Sequence, residues 1–181
     1  MSSSITLTSF EGARFEPPYG EGTVRFGDSA DQVCAVLGQP ENDPSEETLL
    51  FHDCAVQVHI GENGVHFLEF ATNPKKDGVD VVWNEHNLSQ MNAVTCAEVL
   101  QELNGDAEVC DDEAPAGYVF EKLGLSVWQP VALQTAIDEY EEAKASDADE
   151  EELEYLAEDA AKAEHFDSVG IGSEEYIKQY F

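Results

Sequence analysis

The sequence predicts an α+β protein: two helix-plus-antiparallel-sheet repeats, then an acidic C-terminal helical segment. Three observations predict it. A short helix with clear start and stop signals lies near residues 29–38 and leads through an acidic loop into alternating strands up to residue 71. The same order recurs over residues 92–130. From Val131 onward the texture turns to Ala, Glu and Asp with helical spacing of the few apolar residues.

Ile5, Leu7 and the Thr residues between and after them alternate, which predicts a first strand over residues 4–8. Residues 10–15 read as its continuation after a break at Gly12. Pro17, Pro18, Gly20 and Gly22 punctuate a loop that holds Tyr19, read as a packed loop aromatic or a ligand contact. Residues 23–26 form a short extended lead to the first helix. There Ser29 and Gln32 make a capping box, each side chain positioned to satisfy the other's free backbone donor. Val33, Val36 and Leu37 follow at helical spacing. Gly38 accepts a left-handed stop and Pro40 prevents continuation. An acidic loop with Glu41, Asp43, Glu46 and Glu47 comes next. Strands are predicted at 47–51, 55–60 and 65–71, with a turn at Gly61–Gly64. Strict alternation places Val65, Phe67 and Glu69 on one face of the last strand, and His66, Leu68 and Phe70 on the other.

A loop with Lys75 and Lys76 precedes a short apolar stretch, Val79–Trp83. Trp83 has two readings: a core residue, or an anchor for a partner, since Trp is enriched at interface hot spots. Thr95 and Glu98 suggest a second capping box, followed by Val99, Leu100 and Leu103, and stopped by Asn104-Gly105. A second acidic loop then holds Asp106, Glu108, Asp111, Asp112 and Glu113. Strands follow over 118–128, turning at Lys122–Gly124. In the alignment of the two stretches Phe51 matches Phe120, Ala55 matches Gly124, Val56 matches Leu125 and Val58 matches Val127. One short helix cannot cover a sheet alone, so the two units, approximately 24–71 and 92–130, are expected to share a core within residues 1–130. Residues 131–181 are expected to pack on the same domain as two acidic helices, a closing strand at 166–172 and a terminal aromatic cluster.

The stretch FGDSADQVCAVLGQP resembles the first helix of the β-lactamase inhibitor protein-like superfamily, which includes small outer-membrane assembly lipoproteins of the SmpA/OmlA type. Gly27, Ser29, Val33, Leu37, Gly38 and Pro40 fit its pattern, and Asp28 stands where that pattern has Met. The tandem arrangement, with LGLSVWQ and FDSVGIG, also resembles bacterial toxin-immunity proteins. The resemblance spans residues 24–130. It implies a fold and a protein-binding habit, and it carries over no catalytic residue.

Thirty-nine acidic residues face eight basic ones, for a formal net charge of −31. Such a field repels nucleic acid and anionic membranes and attracts basic proteins. Solubility, a basic partner and adaptation to high salt are three readings of it; six Lys against two Arg weigh against the last. No run of about 18 apolar residues is present to span a bilayer. The start MSSSITLTSF has no basic region, no apolar core and no lipoprotein cysteine, so the expected location is cytoplasmic. Cys34, Cys54, Cys96 and Cys110 are irregularly spaced and expected as free thiols.

His52, Cys54, His59 and His66 match no zinc spacing, and alternation splits His52 and Cys54 from His59. Asp147, Asp149, Glu151 and Glu158 have calcium-loop spacing, but Glu152 occupies the position that requires Gly. No Gly-rich phosphate loop or nucleophile elbow appears. The expectation is a non-enzymatic protein without metal or cofactor. It is an acidic binding protein, in the manner of an immunity or inhibitor protein that neutralises a basic, nuclease-like partner; the alternative is a structural or assembly adaptor whose acidity serves solubility. The expected binding residues are Asp138, Glu139, Glu141, Glu142, Asp147, Asp149, Glu150, Glu151, Glu152, Glu154, Glu158 and Asp159, with Trp83 as an aromatic anchor. Neither nucleic acid nor membrane is an expected partner, and the oligomeric state stays open.

Overall fold

A computed structural model describes residues 4–76, 78–105, 109–113, 116–146 and 148–180. The chain runs β1 (Ile5–Thr8), β2 (Gly12–Phe15), β3 (Gly22–Arg25), α1 (Ala30–Leu37), β4 (Thr48–Phe51), β5 (Val56–Gly61) and β6 (Gly64–Ala71). A 3₁₀ turn at Pro74–Lys76 leads to β7 (Val81–Trp83), β8 (His86–Asn87), α2 (Ala93–Asn104), β9 (Val109–Glu113), β10 (Ala116–Phe120) and β11 (Leu125–Trp128). Then come α3 (Leu133–Ala145), α4 (Glu150–Lys162), β12 (Ser168–Gly172) and α5 (Glu174–Tyr180). This is an α+β architecture.

The strands form two sheets, ordered β3-β2-β1-β7-β8 and β4-β5-β6-β12-β11-β10-β9. One hydrophobic core joins them, from Ile5, Phe15 and Val24 of the smaller sheet through Val33 of α1 and Leu100 of α2 to Val58, Leu68, Phe70, Leu125 and Ile171 of the larger. The capping box of α1 is present in full: Ser29 Oγ accepts from Gln32 N, and Gln32 Oε1 accepts from Ser29 N at 2.9 Å. The hairpins β4–β5 and β10–β11 close alike, with Phe51 opposite Val56 and Phe120 opposite Leu125.

Several local expectations are corrected. Residues 10–15 do not continue β1. Phe10 takes φ 59° and the chain reverses, so that β2 pairs antiparallel with β1. Gly12 is required there, because its φ is 136° and a Cβ would collide with the Val24 carbonyl. The face assignment of β6 fails at Val65 and His66. Phe67 stands opposite His59 and Val65 opposite Ile60, which leaves His66 as an extra, bulged residue. The bulge shifts the phase of alternation, so Val65 joins Leu68 and Phe70 in the core while Phe67 faces His59 and Tyr176 on the far side. Helix α2 begins before Thr95. Asn92 is its N-cap, accepting from Val94 N at 3.0 Å, and Ala93 is buried and donates its N–H to the Glu164 carbonyl. Asp111, Asp112 and Glu113 are not loop residues but part of β9, which pairs along β10; Asp106 and Glu108 lie outside the described residues. His52 and Cys54 do not share a strand face. His52, Asp53 and Cys54 all take positive φ in the β4–β5 turn.

The strand expected to close the chain sits mid-sheet. β12 pairs antiparallel with β6 on one side and β11 on the other, joining the two hairpins. The helices α3 and α4 therefore form a long connection between two neighbouring strands.

Candidate protein-binding surface

Helix α3 starts at Ala132 without a side-chain cap, and Gln134 Nε2 donates to Asp138 Oδ1 one turn on at 2.8 Å. Ser146 ends it by donating from both its backbone N–H and its hydroxyl to the last turn. Asp149 caps α4, accepting from Glu152 N at 2.9 Å. Glu150, Glu151 and Glu152 occupy the first turn and Lys162 the last, each where the helix dipole favours its charge. The two helices pack as a hairpin, mainly against each other.

The hairpin is attached thinly. Ala136 is the buried residue of α3, and α4 has none. Leu153 and Leu156 are half-buried, and Ala157 is exposed. The firm anchorage comes just beyond α4. Ala163 and Phe166 are buried. Asn73 Nδ2 donates to the Lys162 carbonyl at 2.8 Å and to Asp167 Oδ1 at 2.7 Å. Lys76 Nζ pairs with Asp167 Oδ2 at 2.5 Å.

This leaves the predicted carboxylates facing water. Asp138, Glu139, Glu141, Glu142, Asp149, Glu150, Glu151, Glu152, Glu154 and Glu158 are all exposed, and Asp159 is half-buried. Asp147 lies outside the described residues. Among the described residues, ion pairs within the hairpin engage only Glu141 with Lys144, and Glu158 and Asp159 with Lys162. The Lys162 ammonium is held above its usual range, chiefly by its hydrogen bond to Asp159. Asp138, Glu139, Glu142, Asp149, Glu150, Glu151, Glu152 and Glu154 have no basic side chain in salt-bridge range among the described residues.

Trp83 does not join this surface. It is 7% exposed on β7, within the shared core, and its Nε1 donates to Ser9 Oγ at 3.0 Å. The reason is its register. Trp83 pairs with Leu7 of β1 in a parallel ladder, which turns both side chains to the core. Among the described residues the exposed aromatics are instead Tyr155, 62% exposed on α4, and Trp128, 42% exposed on β11. Alternation carried the signal for Trp128, because Leu125 and Val127 take the buried positions and leave Ser126 and Trp128 to the opposite face.

Among the described residues, no three His, Cys, Asp or Glu side chains gather as a metal site would need. No helix among them is long and apolar enough to cross a membrane. Cys34, Cys54 and Cys96 are free, and burial pushes the Cys96 thiol pKa up to about 12. No protein-family model, curated protein or solved structure matches the chain.

Proposed function

We propose that this chain is a non-enzymatic acidic binding protein that docks a basic protein on its α3–α4 hairpin. An immunity or inhibitor protein acting on a nuclease-like partner would work this way, and the resemblance of the first helix to the β-lactamase inhibitor protein-like superfamily points in the same direction. The observation that supports it is the set of eight hairpin carboxylates without a basic partner in range among the described residues, on a helix pair in which Ala136 is the fully buried residue. Unpaired like charges repel one another, and a basic surface removes that cost on docking. The charge would steer encounter, and Tyr155 supplies an aromatic contact on the same helix as four of these acids and Asp159. A cytoplasmic setting fits the three free thiols.

The test is capture of a partner by the tagged protein at low salt and again at about 0.5 M, where screening shrinks to a few ångströms. A basic protein, weakened at high salt and lost with the combined Glu139→Gln, Glu142→Gln, Glu150→Gln, Glu151→Gln and Glu154→Gln variant, is the expected result. A second reading has its own observation, the exposed Trp128 on the larger sheet. A structural adaptor using that face would bind a neutral partner indifferently to salt, keep it in the Gln variant and lose it in Trp128→Ala.

A further inference from the structure

A cleft of about 540 Å³ opens where the β5–β6 turn, the segment between β3 and α1, and α5 meet. Its floor is closely packed backbone. Gly27 N donates to the Val65 carbonyl at 2.8 Å, and Val65 N donates to the Asp28 carbonyl at 2.9 Å. A Cβ on Gly64, where φ is 90°, would collide with the Gly27 carbonyl, so the approach depends on glycine. One wall is aromatic. The His66 and Tyr176 rings stack with centroids 4.9 Å apart and planes 28° from parallel. Tyr176 stacks in turn with Phe67 at 5.0 Å, which ties the wall to β6. The His66 bulge is what sets that imidazole at the cleft. Glu62 from the turn and Glu175 from α5 complete the rim, both exposed, and among the described residues no Lys or Arg lines the space.

These features select among ligands. An anion would face two carboxylates with no cation to offset them. An apolar group would strip water from Glu62 and Glu175 and return no hydrogen bond. A simple ammonium would satisfy the carboxylates but gain less from a flat conjugated wall. A guanidinium suits both parts, because it is planar, weakly hydrated, stacks on aromatic faces and donates a fork of N–H groups to carboxylates.

We propose that this cleft receives the guanidinium of an arginine side chain presented by the partner. The proposal rests on the reading that the partner is basic. It places a specific contact away from the hairpin, so that the hairpin attracts and the cleft selects.

The test uses the full chain, ¹⁵N-labelled, titrated by NMR with N-acetyl-L-arginine amide at low salt. The control titrant is N-acetyl-L-citrulline amide, which replaces the guanidinium by a neutral urea of the same shape. Expected are saturable shifts of the Gly61, Gly64, Ser173 and Tyr176 amides with the arginine compound and none with citrulline. Glu175→Gln should weaken binding by about tenfold, the equivalent of one charge-assisted hydrogen bond. The five-site hairpin Gln variant, compared with the unaltered chain at about 0.15 M salt, should change it by less than about twofold, since exposed charges farther apart than about 8 Å are then largely screened. Equal response to citrulline, shifts confined to α3–α4, or no effect of Glu175→Gln would each overturn the proposal. The titration needs no partner. A cleft indifferent to arginine in a protein that still captures a basic partner therefore overturns the cleft alone, while loss of salt-sensitive capture overturns the hairpin reading.

Discussion

Gly170 on β12 has no room for a side chain: a Cβ there would collide with the Phe67 ring and the Ser126 hydroxyl. The ring lies over the glycine because alternation along β6 sets Phe67 on the face opposite Leu68 and Phe70. Gly170→Ala should cost about 1–3 kcal/mol by overpacking, read as a lower denaturation midpoint with unchanged slope. His59 makes a second residue-scale prediction. Its Nε2 is shut off from solvent with no hydrogen-bond partner, although Nδ1 lies 3.2 Å from Thr48 Oγ1. Burial lowers its pKa; Glu69, 4.0 Å away, opposes that shift and His66 adds to it. The unfolded chain therefore takes up the proton more readily than the native one. This contribution to stability is full above the ordinary His range and declines as pH falls through about 6.5 toward the lowered native value. His59→Gln should flatten the stability profile between about pH 7 and pH 5 relative to the unaltered chain, measured by urea denaturation at each pH. Parallel profiles would show that His59 is not the group responsible.

At the scale of elements, the start of α2 separates two local signals. Thr95 with Glu98 has the spacing of a capping box, yet Asn92, three residues before Thr95, caps the helix. Asn is a better cap than Thr, and burial of Ala93 with its N–H on the Glu164 carbonyl favours it further. Asn92→Ala should therefore cost about 1 kcal/mol, and Thr95→Ala a few tenths or less, by thermal denaturation monitored by circular dichroism. The reverse order would restore Thr95 as the cap. The α3–α4 hairpin follows its sequence more directly. Its break at Ser146–Asp149, the acidic first turn of α4 and the terminal Lys162 all act within one helix length. Only its placement between β11 and β12 is non-local.

Across the whole molecule the net charge of −31 sets the electrostatic character. Seven ion pairs are found among the described residues, and in six at least one partner is more than a third exposed, so they offset little of the repulsion. Raising salt from about 0.02 M to 0.5 M should raise the melting temperature, because screening relieves self-repulsion in the compact state. The five-site hairpin Gln variant should melt higher than the unaltered chain at low salt and converge toward it at high salt. A melting temperature that falls with salt would mean that attractive pairs, not repulsion, dominate. The eight unpaired hairpin carboxylates make the same repulsion available to a basic partner, which links the stability experiment to the binding one.

What the sequence determined by itself was everything decided within a few residues. The Ser29–Gln32 cap, the stop at Gly38, the three-strand meander from residue 48 to 71, the second hairpin and the two acidic helices all rest on side-chain chemistry and periodicity at short range. Its net charge was legible for the same reason, since charge sums without geometry. Only the tertiary structure decided what depends on distant chain. Trp83 is buried because β7 meets β1 across more than seventy residues, a parallel pairing that no local pattern encodes. β12 became a central strand because two hairpin edges each needed a partner for their backbone groups, and β6 and β11 could share one. The cleft between the β5–β6 turn and α5 likewise joins residues a hundred positions apart. Its His66 wall depends on a bulge, and strict alternation carries no sign of an inserted residue until the neighbouring strand supplies the register.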